Sequence, residues 1–322
     1  MRVNKLFLIF ILSCFVSITV VQASDYYYDD DDYGYEEDAK DEGARNEDAK
    51  DEGASNEDAS NRQYNKDQQT KKDRERQLEL QMRQWLQELE TVKMKKKESS
   101  ILALTTKILN VDPDNIHALS ALGTFYLESG QTQMAKIIFS RLLKKYPKNS
   151  SVHSNLGMIS LREDNREDAI KAFQKSLEYR YRNYVAAAHL GVLYLEAYEY
   201  DSAKEYLELA YKEGKRKLSI NHPEVMKIGN NYAVSLSWSG EFRKAEDIFE
   251  DLTEIHTKSV ELLLNYAILL GNNLGNKKKS YKFLRKADLM DTSAKYSGRI
   301  KDLQNFLDKL NATELQKKDR KK

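Results

Sequence analysis

The sequence predicts an all-α chain of stacked, antiparallel helix pairs, and three observations carry that prediction. Glycine, alanine and aromatic positions recur together at a spacing of 34 residues. Between them, apolar side chains fall at helical intervals. The 322-residue chain has only 3 Pro and 13 Gly, and its 40% hydrophobic content is too high for disorder throughout. Its formal net charge of +1 argues against a dedicated nucleic-acid binder.

Residues 1–23 read as an export leader. Arg2 and Lys5 precede a 16-residue apolar run from Leu6 to Val21, interrupted only by Ser13, Cys14, Ser17 and Thr19. Val21-Gln22-Ala23 then places small or medium side chains where a signal peptidase cuts, so the mature chain is expected to begin at Ser24. The run is short for a span of about 20 residues, which disfavours an uncleaved anchor. Ile11-Leu12-Ser13 is a poor match to the small residues usual before a lipid-modified cysteine. Cys14 is the single cysteine and leaves with the leader, so the mature chain is expected to have no disulfide, thiolate nucleophile or sulfur-bound zinc.

Residues 24–75 read as an acidic, low-complexity, disordered region. Between 24 and 70 there are 17 Asp/Glu against 5 Lys/Arg, a net of 12 negative charges. A ten-residue unit, EEDAKDEGAR from Glu36 to Arg45, is followed by NEDAKDEGAS from Asn46 to Ser55. These units hold no large apolar residue to offset the entropy of ordering them. Asp25 and Asp29 to Asp32 surround Tyr26, Tyr27, Tyr28, Tyr33 and Tyr35, an arm that reads as a solubilising spacer or as an element that docks on a basic surface. With +2 from the leader removed as well, residues 71–322 carry +11.

Residues 76–115 read as a helical hairpin. Leu78, Leu80, Met82, Trp85, Leu86, Leu89, Val92 and Met94 form one apolar stripe, and Ile101 to Leu109 a second, shorter one that stops before Asp112-Pro113. The array proper spans 116–290. Gly123, Gly157 and Gly191 are 34 residues apart, as are Ala135, Ala169 and Ala203, with Phe139 and Phe173 in step and Leu207 at that place in the third copy. An insertion near 212–224 interrupts the period, since Ala203 and Ala245 are separated by 42 residues, eight more than the repeat. The phase resumes at Asn231-Tyr232-Ala233 and again at Asn265-Tyr266-Ala267, the last copy with an altered turn. Residues 291–322 read as a capping helix, with Ile300, Leu303, Phe306, Leu307 and Leu310 on one stripe, and a polar tail from Asn311.

On these residues the chain resembles the tetratricopeptide repeat (TPR) family. LGTFY at Leu122 to Tyr126 with Ala135, Phe139 and Pro147 carries the likeness, as do NLG at Asn155 to Gly157, HLGVLY at His189 to Tyr194 and NYA at Asn231 to Ala233. Ser160, Tyr181, Ala233, Ala267 and the insertion depart from the family pattern and leave five or six copies. The resemblance implies a right-handed superhelical solenoid whose inner surface, lined by the first helix of each pair, holds a peptide or a helix of another protein. Asn155, Met158, Val192, Asn231, Val234, Trp238 and Asn265 are the candidate protein-binding residues: apolar side chains for burial, asparagines for backbone recognition, and a tryptophan of the type enriched at binding hot spots. The asparagines alternatively join helices to one another, and Trp238 alternatively covers a seam between repeats.

Catalysis is not expected. His117, His153, His189, His222 and His256 lie 33 to 36 residues apart without occupying one repeat position, and no phosphate loop, dinucleotide fingerprint or nucleophile elbow occurs. No cofactor or metal is implied. The expected function is a non-catalytic interaction scaffold or adaptor, exported to a bacterial periplasm or outer membrane and assembling an envelope complex such as a motility, pilus, secretion or cell-wall apparatus. In a cell with one membrane the same chain is secreted. The competing expectation is a secreted interaction or virulence factor with a partner outside the cell.

Overall fold

A recurrent turn joins the two helices of each of five pairs between residues 116 and 290 in the computed structural model, which describes residues 56–95 and 97–319. At every such turn one residue takes a left-handed conformation: Gly130, Asp164, Tyr198, Gly240 and Gly275, with φ from 57° to 83°. The next amide then donates back five residues, as from Gln131 to the Tyr126 carbonyl at 2.8 Å and from Glu199 to that of Tyr194 at 2.9 Å, which closes the end of the first helix. Glycine marks only three of these turns in the sequence. Asp164 and Tyr198 adopt the same backbone at a steric cost.

The leader and residues 24–55 lie outside the described residues. In the unit covering 56–147, α1 (Asn56–Met94) packs with α2 (Glu98–Val111), and α3 (Ile116–Glu128) with α4 (Thr132–Lys145). Disorder was expected as far as residue 75, and the helix over the described residues 56–75 corrects that expectation for them. Residues 56–75 contain no Gly or Pro and are rich in good helix formers, which permits a helix with little burial. Side chains from Tyr64 to Gln81 are exposed, so Leu78 and Leu80 do not join the buried stripe; Leu89 and Val92 do, against Ile101, Leu104 and Ile108 of α2.

The unit from Lys148 contains α5 (Ser150–Arg162), α6 (Arg166–Tyr179), α7 (Tyr184–Glu196), α8 (Tyr200–Leu218), α9 (Pro223–Trp238), α10 (Phe242–Ile255), α11 (Val260–Ile268), α12 (Lys277–Met290) and α13 (Ser297–Asp319). Odd-numbered helices from α5 to α11 are the first members of their pairs, the ones that the resemblance places on the inner side, and are called inner helices below. Their starts are capped by side chains: Asn149 accepts from the Val152 amide, Asn183 from Ala186, His222 Nδ1 from Glu224 and Ser259 from Leu262. Asn183 also donates to Ser150 Oγ at 3.0 Å and Ser176 Oγ at 2.9 Å, tying two pairs together inside the protein.

The eight-residue insertion is absorbed as helix rather than loop. Helix α8 has 19 residues where α6 and α10 have 14, and α9 has 16 where α5 and α7 have 13; these five and three extra residues account for the insertion. The added turns bury Tyr211 and Gly214 against α9, which keeps the segment apolar on one side. In the last pair, Ala267 and Ser280 are 13 residues apart where the other copies have 12. A π-helical turn, Leu269–Asn273, takes up the extra residue, and the Leu274 amide donates to the Leu269 carbonyl at 3.1 Å. Helix α13 lays Ile300, Leu303 and Leu307 on Leu263, Leu264 and Leu284 and continues past Asn311, where a polar tail was expected.

Pair packing depends on small residues of the inner helices. A methyl group at Gly157 would lie 2.7 Å from Phe173 Cε1, and one at Gly191 would meet Leu207 Cγ and come within 3.2 Å of the Leu207 backbone nitrogen. Gly191→Ala is therefore expected to lower stability by roughly 1 to 3 kcal/mol through overpacking. Gly298→Ala, with nothing within 4 Å, is expected to be neutral or stabilising. Denaturant unfolding of both variants checks this; equal midpoints would remove the close approach at Gly191.

Candidate functional site

The seven candidate residues all fall on the inner helices of the unit from Lys148. Asn155 and Met158 lie on α5, Val192 on α7, Asn231, Val234 and Trp238 on α9, and Asn265 on α11. Five of them are buried; Val234 and Trp238 are half-buried. Helix α7 is the most enclosed, with every residue from Tyr184 to Leu193 buried, and Val192 is only 6% exposed. Ala186, Ala187 and Ala188 keep its sides short, so neighbouring helices approach closely and most of the space around it is apolar.

Two asparagines are engaged inside the protein. Asn155 Nδ2 donates to the Ser151 carbonyl one turn earlier at 2.8 Å. Asn265 Nδ2 donates to Asn230 Oδ1 at 3.0 Å, while its Oδ1 accepts from Arg299 Nη2 at 3.3 Å. That chain joins α9, α11 and α13, so Asn265 connects helices. Sequence reasoning did not single out Arg299; its place in a capping helix gives no repeat-based signal. Trp238 stacks on Tyr200 with ring centroids 5.4 Å apart and an interplanar angle of 13°, and Tyr198 meets Tyr200 edge-on at 6.4 Å. Tyr198 is exposed, so these rings form an aromatic edge partly open to solvent.

Charge collects at the α9–α11–α13 end of this inner face. Glu224 is 1% exposed and lies 3.6 Å from Lys227 Nζ. Burial pushes the Glu261 carboxyl above the usual range, while Arg299, Lys295 and Lys227 pull it back down. The face is thus uncharged but partly polar across α5, apolar across most of α7, and mixed in charge beyond α9. Such a surface can hold an apolar segment at one end and hydrogen-bond polar groups at the other.

The histidines have separate structural settings. His153 tilts against Tyr179, His189 stacks on Phe173 at 5.0 Å, His222 caps α9, and His256 Nε2 lies 3.0 Å from the Ile220 carbonyl oxygen. Among the described residues no group of three His, Cys, Asp or Glu side chains is placed to hold a metal ion. No described helix is long and apolar enough to cross a membrane.

Comparison with known families bears on the first three repeats of the array. Residues 117–149, 150–183 and 185–224 each match a profile described as tetratricopeptide repeat. Residues 117–224 are thus similar to three tetratricopeptide repeats in succession. The longest of the three matches, ending at 224, takes in the extended TPR helix α8. No curated protein matches the chain. Solved structures similar to it include PilF of Pseudomonas aeruginosa, at 21% identity over 54% of this chain and 75% of that one, with a TM-score of 0.46. YrrB, a TPR protein with an unusual peptide-binding site, is similar at 15% identity over 58% of this chain and 92% of its own, with a TM-score of 0.48. MamA is similar at 18% identity over 53% and 95%, with a TM-score of 0.45.

Enclosure of α7 has a measurable acid signature. Burial holds the His189 imidazole down at about 3, against its ordinary 6.5. The unfolded chain therefore takes up a proton between those values that the folded chain refuses. The stability from this group is complete above pH 6.5 and is lost as pH falls toward 3, by up to about 1.4 kcal/mol per pH unit. Between about pH 7.5 and about pH 5, wild type is expected to lose roughly 2 kcal/mol more than His189→Phe, read by denaturant unfolding. Equal losses would place His189 in contact with water.

Proposed function

We propose that the chain is a non-catalytic scaffold whose inner TPR face takes a segment of another protein. The observation that carries this reading is the run of three consecutive TPR matches over 117–224, together with an inner face in the unit from Lys148 that passes from apolar to polar. The Tyr198–Tyr200–Trp238 edge, partly open to solvent, supplies rigid aromatic contact area. Asn155 and Asn265 act mainly in positioning their own helices. Asn231, Val234 and Trp238 on α9 are the residues assigned to contact.

The finer reading is that this scaffold works outside the cytosol, as a subunit of a bacterial envelope complex, in the periplasm or at the outer membrane. The basic residues, apolar run and Val21-Gln22-Ala23 in residues 1–23 support export. Sequencing the N-terminus of protein from its native host is expected to give Ser24. Retention of Met1 would remove the cleavage after Ala23.

The binding reading is tested with the partner recovered by crosslinking in intact cells. Trp238→Ala is expected to weaken its binding by roughly 1 to 3 kcal/mol while the unfolding midpoint changes little. Unchanged affinity would take Trp238 out of the site, and a matching loss of stability would make the Tyr200 stack its main role. Envelope-complex subunits as the dominant crosslinked species support the scaffold reading, and exclusively extracellular partners point to the secreted alternative.

A further inference from the structure

Helices α10 and α12, the second members of two successive pairs, carry opposite charge. Helix α10 has five carboxylates against two cations, and α12 has six cations against one carboxylate. Lys279 of α12 reaches Glu246 at 3.5 Å and also Glu250, so these residues mark the sides on which the two helices face each other. Each further residue of α-helix is a rotation of about 100°. Phe249, one residue before Glu250, and Ser280, one after Lys279, turn inward and are buried. Asp247 and Asp251, one residue after the glutamates, and Lys278, one before Lys279, turn the opposite way. Because α10 and α12 run in the same direction, both turns lead to the same outward side. The two outward stripes have equal spacing: Asp247, Asp251 and Glu254 at i, i+4 and i+7, and Lys278, Lys282 and Arg285 at i, i+4 and i+7, every one exposed. None of these side chains makes an ion pair or hydrogen bond with a described residue, whereas on α6 Lys171 pairs with Glu167 and Lys175 with Glu178. Both stripes end in an exposed apolar side chain, Ile255 at 40% and Leu289 at 75%.

We propose that this outward face pairs with the same face of a second copy of the chain, α10 on α12 and α12 on α10, in a two-fold dimer. The arrangement of charge argues for this occupant. An acidic stripe beside a basic stripe of equal spacing is its own complement, while a uniformly acidic or basic partner would satisfy one stripe and be repelled by the other. A two-fold axis parallel to the helices and midway between them lays each acidic stripe over the basic stripe of the other copy. Such a rotation keeps positions along the helices level. Ala245 and Ser280 hold the same repeat position, so Asp247 and Lys282, each two residues further on, come opposite one another at both halves of the contact. At the far end of the helices the same rotation brings Ile255 beside Leu289, and apolar surface now open to water is covered.

Size sets the strength of this contact. Each helix has 14 residues and is about 21 Å long, and two of them at about 8 to 10 Å between axes present roughly 400 Å² per copy. That is the size of a transient contact, and exposed ion pairs add little each, so the dimer is weak and sensitive to salt. The first helices of the pairs stay clear of it. Two inner faces are then joined in one particle, and a partner with repeated segments gains avidity.

Sedimentation velocity tests the dimer on the chain purified from its native host. From about 5 to about 500 μM in low salt, a monomer is expected to pass into a dimer and no larger species, and the dimer to be lost at about 0.5 M salt. Asp247→Lys alone and Lys282→Glu alone each set like charges opposite one another at both halves of the contact, and each is expected to raise the dissociation constant at least about tenfold. Mixing the two variants restores opposite charges at both halves, as does the double variant, so dimerisation is expected to return to within about threefold of wild type. A monomer at every concentration, a dimer indifferent to both substitutions, or no recovery in the mixture would overturn the proposal. Species that keep growing beyond the dimer would overturn the two-fold arrangement. Both side chains are exposed, so unfolding midpoints are expected to match wild type; if either variant loses stability, Asp251→Lys and Arg285→Glu take their place in the same experiment.

Discussion

Close approach between a small residue on an inner helix and a large one on its outer partner is the constraint that the array is built around. Gly123 receives Phe139, Gly157 receives Phe173 and Gly191 receives Leu207, each pair 16 residues apart. Without a side chain on the inner helix, the outer ring or isobutyl group sits over the backbone and the two helices pack at short range. The left-handed turn residue and its back-donated amide then set where the outer helix begins, and the asparagine or serine cap sets where the next inner helix begins. These devices act together, because a shift in any one would move a large side chain off its small counterpart.

The same constraint explains how the chain tolerates irregular spacing. Eight additional residues enter as extra turns of α8 and α9, leaving the four-residue link between pairs unchanged in length. One additional residue in the last pair enters as a π-helical turn, so that Ala267 still meets its outer helix, where Ser280 Oγ donates to the Ala267 carbonyl at 2.6 Å. Both adjustments keep backbone amides paired. An insertion placed in the tight turn would instead have to give up the amide bond that closes it.

Much of this was legible in the sequence. Spacing located the repeats, their small and large positions, and the resumption of phase after the insertion. What was not legible has a physical reason in each case. Asp164 and Tyr198 hide two of the turns because their conformation is imposed by the surrounding helices rather than by glycine. Residues 56–75 of α1 are helical because they form helix locally, whereas the reading for disorder rested on their having nothing to bury. Asn265 looked equally suited to binding a peptide or joining helices, and its bonds to Asn230 and Arg299 depend on a capping helix outside the repeat pattern. The inner-face residues were identifiable by repeat position, but their burial was not.

The account as a whole holds that the inner helices of the unit from Lys148 are the working surface and the outer helices its support. Amide hydrogen exchange on the mature chain, with and without its crosslinked partner purified to homogeneity, addresses that division directly. Protection gained in α7 and α9, with α8 and α10 little changed, is the result the account expects. Protection gained chiefly in α8 and α10 would contradict it and move the interaction to the outer layer.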